Sequence, residues 1–355
     1  MKSPGYLKQI GFLCALELMA LSGSRLTAQF PDLNFHHLTA DDGLSRESVQ
    51  CIFQDTEGFL WFGLRGGLDR YDGRSFLSCY NQVCDTSWSY PHTIMAIEED
   101  SLGGIWFADD TLGLVWLNKQ QEKILRFRYR ENDPHSLSCN KVRAIAGDSR
   151  GNLWIATDHG LNLFNRSDST FTRFLHDPQD RNSMAVNSIS SLAEDSHGSI
   201  WLISPEGYLM RYDAQSRSFG NFKVFADPFF LPPFLNLPAL FIDSGDNIWF
   251  GSGSGLHRFD PVKKTTDLFP LHTGKNRIEF PLITSIQEIR KYHYLISTFN
   301  NGLFLFQSKA GQFKNFVRDF ADISGLNSDR LTCICHSREN IFWIGSYDNG
   351  INIYN

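Results

Sequence analysis

No stretch beyond residue 28 is long and unbroken enough in apolar residues to cross a membrane. The most apolar piece, residues 225–241, holds Pro228, Pro232, Pro233 and Pro238, which a spanning helix would not tolerate together. Lys and Arg form no cluster and the net charge of -6 is mild, which argues against a nucleic-acid surface or a polybasic membrane surface. There is no phosphate-binding loop, no His-Glu-x-x-His zinc motif, no Gly-x-Ser-x-Gly elbow and no Cys-x-x-Cys pair. No catalytic residue, metal or cofactor is therefore expected. The eleven His are scattered, and His36 and His37 would sit on a strand whose alternation turns the two rings to opposite faces. Helical periodicity is missing too: the apolar runs alternate by two, or are continuous and rich in β-branched and aromatic residues.

What is present is a repeat. Residues 43–76 run from Gly43-Leu44-Ser45 through the alternating Val49, Cys51 and Phe53 to a turn at Asp55-Thr56-Glu57-Gly58. A second apolar run, residues 59–62, leads to the Arg65-Gly66-Gly67 turn, then to Leu68-Asp69-Arg70-Tyr71 and a last run opening at Phe76. Four short strand-like runs separated by turn residues make one small antiparallel sheet. Trp61, Trp106, Trp154, Trp201 and Trp249, then Leu295 in place of a Trp, then Trp343, mark the same point at intervals of 45 to 48 residues. A period of that length with four strands per unit predicts an all-β fold, a seven-bladed β-propeller. Aromatic residues at 14% suit sheets packed face to face.

Gly67, Gly113, Gly160, Gly207, Gly255, Gly302 and Gly350 fall in the turn between second and third strands, where a positive φ is wanted. The first turn is Asp-x-x-Gly in four blades, becomes Asp243-Ser244-Gly245 in blade five, and is dropped in blades six and seven. An Asp opening and a Gly closing a type I turn explain it without metal or catalysis. One inner-strand position is always small (Cys51, Ala96, Ala144, Ser191, Ala239, Ser285, Cys333), as expected where strands crowd around an axis.

Residues 1–28 differ from the rest. Lys2 and Lys8 precede an apolar stretch from Ile10 to Leu21, and Thr27-Ala28 offers a small-residue cleavage site, so a signal peptide and a propeller over residues 29–355 are expected. Of the six cysteines left, Cys79 and Cys84 are near enough in sequence to pair in an oxidising compartment. Cys51, Cys333 and Cys335 read as small buried thiols. The sequence runs to residue 355 with three strands for blade seven, so residues 33–38 are expected to supply its fourth strand and close the ring, leaving no open sheet edge.

The pattern Asp-x-x-Gly-x-hydrophobic-Trp-[Ile/Phe]-[Gly/Ala], followed by x-x-Gly-Leu-x-hydrophobic-[Tyr/Phe], resembles the two-component regulator propeller repeat over nearly the whole mature chain. Leu38-Thr39-x-x-Asp42-Gly43-Leu44-Ser45 and Gly58-Phe59-Leu60-Trp61-Phe62-Gly63 look like the first repeat of the periplasmic sensor region of hybrid two-component systems in Bacteroides-type bacteria. The resemblance implies a periplasmic module that binds oligosaccharides and regulates polysaccharide use. It also implies a second propeller or other sensor domain as partner, or a homodimer. The kinase and output domains of that plan are not in this sequence. The repeat is also reminiscent of streptogramin-type lyases, which keeps an enzyme as the lesser alternative.

Ligand-binding candidates come from the loops joining second to third strands: Arg65, Asp109, Asp110, Asp158, His159, Glu206, Asn300, Asn301, Tyr347, Asp348 and Asn349. Planar polar groups beside an aromatic ring suit sugar hydroxyls, and these loops differ from blade to blade. An apolar connection holding Phe229, Phe230, Leu231 and Phe234 is a candidate interaction patch, the basis of an alternative protein-scaffold reading.

Overall fold

The unit that repeats is a hairpin pinned by a buried carboxylate. In the computed structural model, which describes residues 30–78, 93–109, 113–119, 123–226, 238–273 and 276–355, the Trp indole of five blades donates to the Asp six residues earlier. Trp61 reaches Asp55 at 2.9 Å, Trp106 Asp100 at 2.8 Å, Trp154 Asp148 at 2.9 Å, Trp201 Asp195 at 2.8 Å and Trp249 Asp243 at 2.8 Å. The other carboxylate oxygen accepts the backbone N–H groups two and four residues on, as Asp148 does from Arg150 and Asn152. Burial pushes Asp100, Asp148 and Asp243 up, yet these hydrogen bonds to the charged form win and hold all three below the ordinary carboxylate range. The Asp thus joins turn and core, a larger role than turn chemistry alone requires.

The chain divides into residues 1–32 and 33–355, and the second unit is a seven-bladed β-propeller of four-stranded antiparallel sheets. Blade 1 illustrates the order: inner strand Val49–Gln54, then Leu60–Leu64, Gly67–Tyr71 and outer strand Phe76–Ser78. The remaining inner strands are Ile94–Glu99, Val142–Gly147, Ser191–Glu194, Leu240–Ile242, Ile283–Arg290 and Leu331–His336. The N-terminal strand His36–Leu38 pairs with Ile351–Tyr354 and completes blade 7, as the sequence pattern implies. Leu33 and Phe35 are buried beside it, and Phe35 N–H donates to the Ser324 carbonyl at 2.8 Å. Just after this strand Thr39 and Asp42 cap each other's backbone around Ala40–Asp42, and Gly43 takes φ 100. The first-repeat motif is therefore a cap that turns the closing strand into blade 1.

All seven second-turn glycines have positive φ. At Gly160 an added Cβ would lie 2.8 Å from the Phe174 carbonyl, and at Gly350 it would fall on the Leu38 carbonyl of the closing strand. The first turn shows two departures from the sequence reading. In blade 5 the positive φ falls on Asp246 rather than Gly245. In blade 7 the turn is kept, with Ser337 at the Asp position and Asn340 at φ 62 at the Gly position, because Asn tolerates the left-handed region. Only blade 6 loses it: Arg290 pairs with His293 in a shorter hairpin.

Blade 7 also lacks its pin. Trp343 is 7% exposed and its Nε1 has no hydrogen-bond partner among the described residues. Ser337→Asp should supply that acceptor and raise stability by about 1 kcal/mol, seen as a melting temperature up by roughly 2 °C. An unchanged or lower melting temperature would show that this turn cannot seat a carboxylate.

Candidate ligand-binding face

The seven small inner-strand residues line an axial cavity of about 360 Å³, as their spacing predicts. In blades 1, 2, 3, 6 and 7 the ladder slips by one residue just before the small position, between Val49 and Cys51, Ile94 and Ala96, Val142 and Ala144, Ile283 and Ser285, and Leu331 and Cys333. The skipped residues, Gln50, Met95, Arg143, Thr284 and Thr332, line the cavity as well. Thr284 donates to Leu331 O at 3.0 Å, Thr332 to Val49 O at 2.6 Å and Ser190 to Pro238 O at 3.3 Å, so these hydroxyls join blades 6 to 7, 7 to 1 and 4 to 5 near the axis. Burial pushes the Cys333 and Cys335 thiols up to about 12 and also raises Cys51, which fits inert core thiols. Cys79 and Cys84 lie outside the described residues.

The second-to-third turns and the loops entering the inner strands share one face, held by backbone bonds. Arg65 N donates to Ser48 O, Asp158 N to Lys141 O, Gly302 N to Asp329 O and Tyr347 N to Arg330 O, all at 2.8 to 3.1 Å. On this face the candidates separate into two groups. Across blades 7 and 1, Arg65 Nη1 donates to the Tyr347 hydroxyl at 2.9 Å, and the Tyr347 ring meets Phe299 edge-on at 5.4 Å. Next to it Asp348 accepts from Ser328 Oγ at 2.5 Å and from Asn349 Nδ2 at 3.0 Å, with Arg330 at 3.7 Å.

Over blades 2 and 3 a cleft of about 740 Å³ is lined by Asp158 and His159 together with Tyr129, Ser138, Cys139, Asn140, Lys141, Arg173 and Leu175. Arg143 clamps Asp158 with two parallel bonds, Nε to Oδ1 at 2.6 Å and Nη2 to Oδ2 at 2.8 Å, linking the cleft to the axial cavity. Arg173 donates to the carbonyls of Ser136, Asp133 and Leu137 and to Ser136 Oγ, at 2.7 to 2.9 Å, and lies 5.6 Å from the Tyr129 ring centre. Tyr129 N–H is held by Asn140 Oδ1 at 2.7 Å.

The other candidates do not join these groups. Asp109 is buried, and Asp110 lies outside the described residues, as do Phe229, Phe230, Leu231 and Phe234 of the apolar connection. Glu206 turns one carboxylate oxygen inward, without a partner among the described residues, and its carbonyl accepts from Lys223 Nζ. Asn300 is exposed, and Asn301 braces its own turn through Thr298 Oγ1 and Asn315 Nδ2. Tyr129, Lys141, Arg143 and Arg173 are missed when only second-to-third turns are searched. Arg143 had a signal: it is the sole charged residue immediately before a small inner-strand position, where the other blades carry Gln50, Met95, Ser190, Pro238, Thr284 and Thr332.

One contact invites comparison with a hydrolase. His257 Nε2 lies 2.7 Å from Ser252 Oγ and 3.1 Å from Ser254 Oγ. His257 and Ser252 are only 6% and 2% exposed, burial lowers the imidazole to about 4, and its Nδ1 has no partner among the described residues. A base needs an orienting third group and access to substrate. The pair reads instead as packing, with the imidazole stacked parallel on Phe250 at 5.0 Å.

Residues 43–66 and 136–159 match the family model described as two component regulator propeller. Two of the chain's seven repeats, in blades 1 and 3, thus match the two-component regulator propeller model. Both matched segments run from the loop before an inner strand, through the Asp turn, to the end of the second strand. The second residue of each is a buried Leu, Leu44 or Leu137, followed by a Ser that ties the loop down: Ser45 N donates to Asp69 at 2.7 Å, and Ser138 N to Asn162 at 2.9 Å. Among solved structures, the extracellular domain of a putative hybrid two-component system from B. thetaiotaomicron superposes with a TM-score of 0.74 at 23% identity, over 91% of this chain and 42% of that one. Virginiamycin B lyase from Staphylococcus aureus superposes with a TM-score of 0.66 at 13% identity, over 91% and 99%. Histidine kinase P4 of Formosa agariphila is 36% identical over 81 residues, 23% of this chain and 6% of that protein. The chain thus spans well under half the length of these two-component relatives. No helix among its described residues is long and apolar enough to cross a membrane.

Proposed function

We propose that this propeller is a periplasmic ligand-sensing module of a hybrid two-component system, and that it recognises oligosaccharides on the face built from the second-to-third turns. The observation that carries the reading is the open cleft over blades 2 and 3, where the half-exposed ring of Tyr129 stands among planar, hydrogen-bonding groups held in place by the repeat's own scaffolding. Ring stacking and fixed polar groups orient a sugar in the way such sites require. Repeats of the two-component regulator family supply the signalling context. The reading is that of a binding module. The lyase shares its fold at 13% identity, too low a likeness to carry its activity across.

A thermal-shift screen against plant and host oligosaccharides tests it. A ligand at a hundred times its dissociation constant should add about 2.7 kcal/mol, a readily measured rise in melting temperature. A well-folded protein unresponsive to the whole panel would count against sugar sensing. It would favour the protein-docking alternative, in which a second sensor domain or a second copy is the partner. That alternative rests on Phe229, Phe230, Leu231 and Phe234, which lie outside the described residues; the loop before blade 7 adds Phe320 and Ile323, 85% and 92% exposed.

A further inference from the structure

The cleft carries a charge that the rest of the chain does not. The protein as a whole has a net charge of -6, yet the charged residues lining this cleft are Lys141 and Arg173 against one carboxylate, Asp158, with the His159 imidazole beside them. That carboxylate is already matched, because Arg143 occupies both of its oxygens. Arg173 is fixed by four acceptors, all but one of them backbone carbonyls, so none of them cancels its charge. Lys141 and His159 are exposed at the rim. The same loop carries two further carboxylates, the exposed Glu131 and Asp133, which faces Arg130 at 3.8 Å. A neutral sugar would leave the Lys141 and Arg173 cations unmatched, whereas a sugar bearing a carboxylate or sulfate ester meets them with charge-assisted hydrogen bonds.

Building on the sugar-sensing reading, we propose that the ligand is an anionic oligosaccharide, its acidic group held between Lys141 and His159 with Arg173 behind, and a pyranose ring against Tyr129. The test compares charged and neutral forms of the same sugars on the full chain: tri-galacturonate with its methyl ester, and a sulfated galactan tetrasaccharide with its desulfated form. Inorganic sulfate is the control. The charged form of at least one pair should bind roughly tenfold or more tightly than its neutral form. Its affinity should fall with added salt, and Lys141→Ala and His159→Ala should each weaken it several-fold. Both positions are exposed, so the unliganded melting temperature should not move.

Cys139 lines the same cleft, so the bound sugar should slow its alkylation in peptide mapping. Equal binding of charged and neutral forms would overturn the proposal while leaving sugar sensing standing. Binding of neither form, across these and the wider panel, would take both down. Sulfate alone acting as strongly as the sulfated sugar, or tight binding with Cys139 unprotected, would also overturn the assignment.

Discussion

Lys119→Met is expected to cost about 3 to 5 kcal/mol of stability at neutral pH, read as a lower urea midpoint with an unchanged slope. The Lys119 ammonium belongs to blade 2 but reaches back under the turn of blade 1. There it lies 3.1 Å from Asp55 and 2.9 Å from each of Glu57 and Glu99, with its side chain 8% exposed. Burial pulls its pKa down, but the bonds to Glu57, Glu99 and Asp55 outweigh that and hold it well above its ordinary value. Asp55 and Glu99 are themselves 0% and 4% exposed, so methionine would fill the volume and leave two buried carboxylates uncompensated. Lys119→Arg should retain most of the stability, since Arg166 makes the equivalent reach from blade 3 to Asp100 at 3.2 Å. A methionine variant as stable as the parent would mean that water, not Lys119, balances these acids.

Much of this arrangement was legible one residue at a time but not as a pair. The Trp spacing and the second-turn glycines declare the blades, because both are required by every copy. Residues 33–38 declare ring closure because they match an outer strand and blade 7 lacks one. The Asp of the first turn and the Trp six residues later are just as regular, yet read separately they suggest a turn and a core residue. Their hydrogen bond appears only when the hairpin folds one over the other. Blade 7 shows the reverse: Ser337 and Asn340 hide a turn whose backbone is conserved although its side chains are not.

The site was less legible for a different reason. Tyr129, Lys141 and Arg173 lie on a connection and an outer strand, outside the part of the repeat that carries a pattern, and they meet only because backbone bonds fold that connection over blade 3. Asp158 and His159 are legible because they occupy a turn that recurs. Arg143 is harder to read, because a charge beside the small inner-strand position looks like a local exception until the bulge turns it toward the axis and Asp158.

Glu98→Gln is expected to stabilise the propeller by about 3 kcal/mol at pH 8 and by close to nothing at pH 4. Glu98 is the cross-strand partner of Trp106. The same position holds Phe53, Ala146, Ala193, Phe241, Gln287 and Cys335 in the other blades. It is thus the single ionisable carboxyl in a ring of uncharged inner-strand residues. Burial raises it from 4.5 to about 7, against hydrogen bonds from the backbone of Glu99 and Gly147, and the neighbouring Glu99 charge adds to the rise. Because the folded state binds this proton more tightly than the unfolded chain, the carboxyl is tolerated below pH 4.5. Its cost then grows through the interval up to 7 and is fully present above. Glutamine keeps an oxygen for the Glu99 N–H, now at 3.2 Å, and carries no charge at any pH. Melting temperatures of parent and variant measured across pH 4 to 8 should therefore coincide at the acid end, separate between pH 4.5 and 7, and hold their gap above 7. A constant gap would assign the difference to packing rather than to the buried charge.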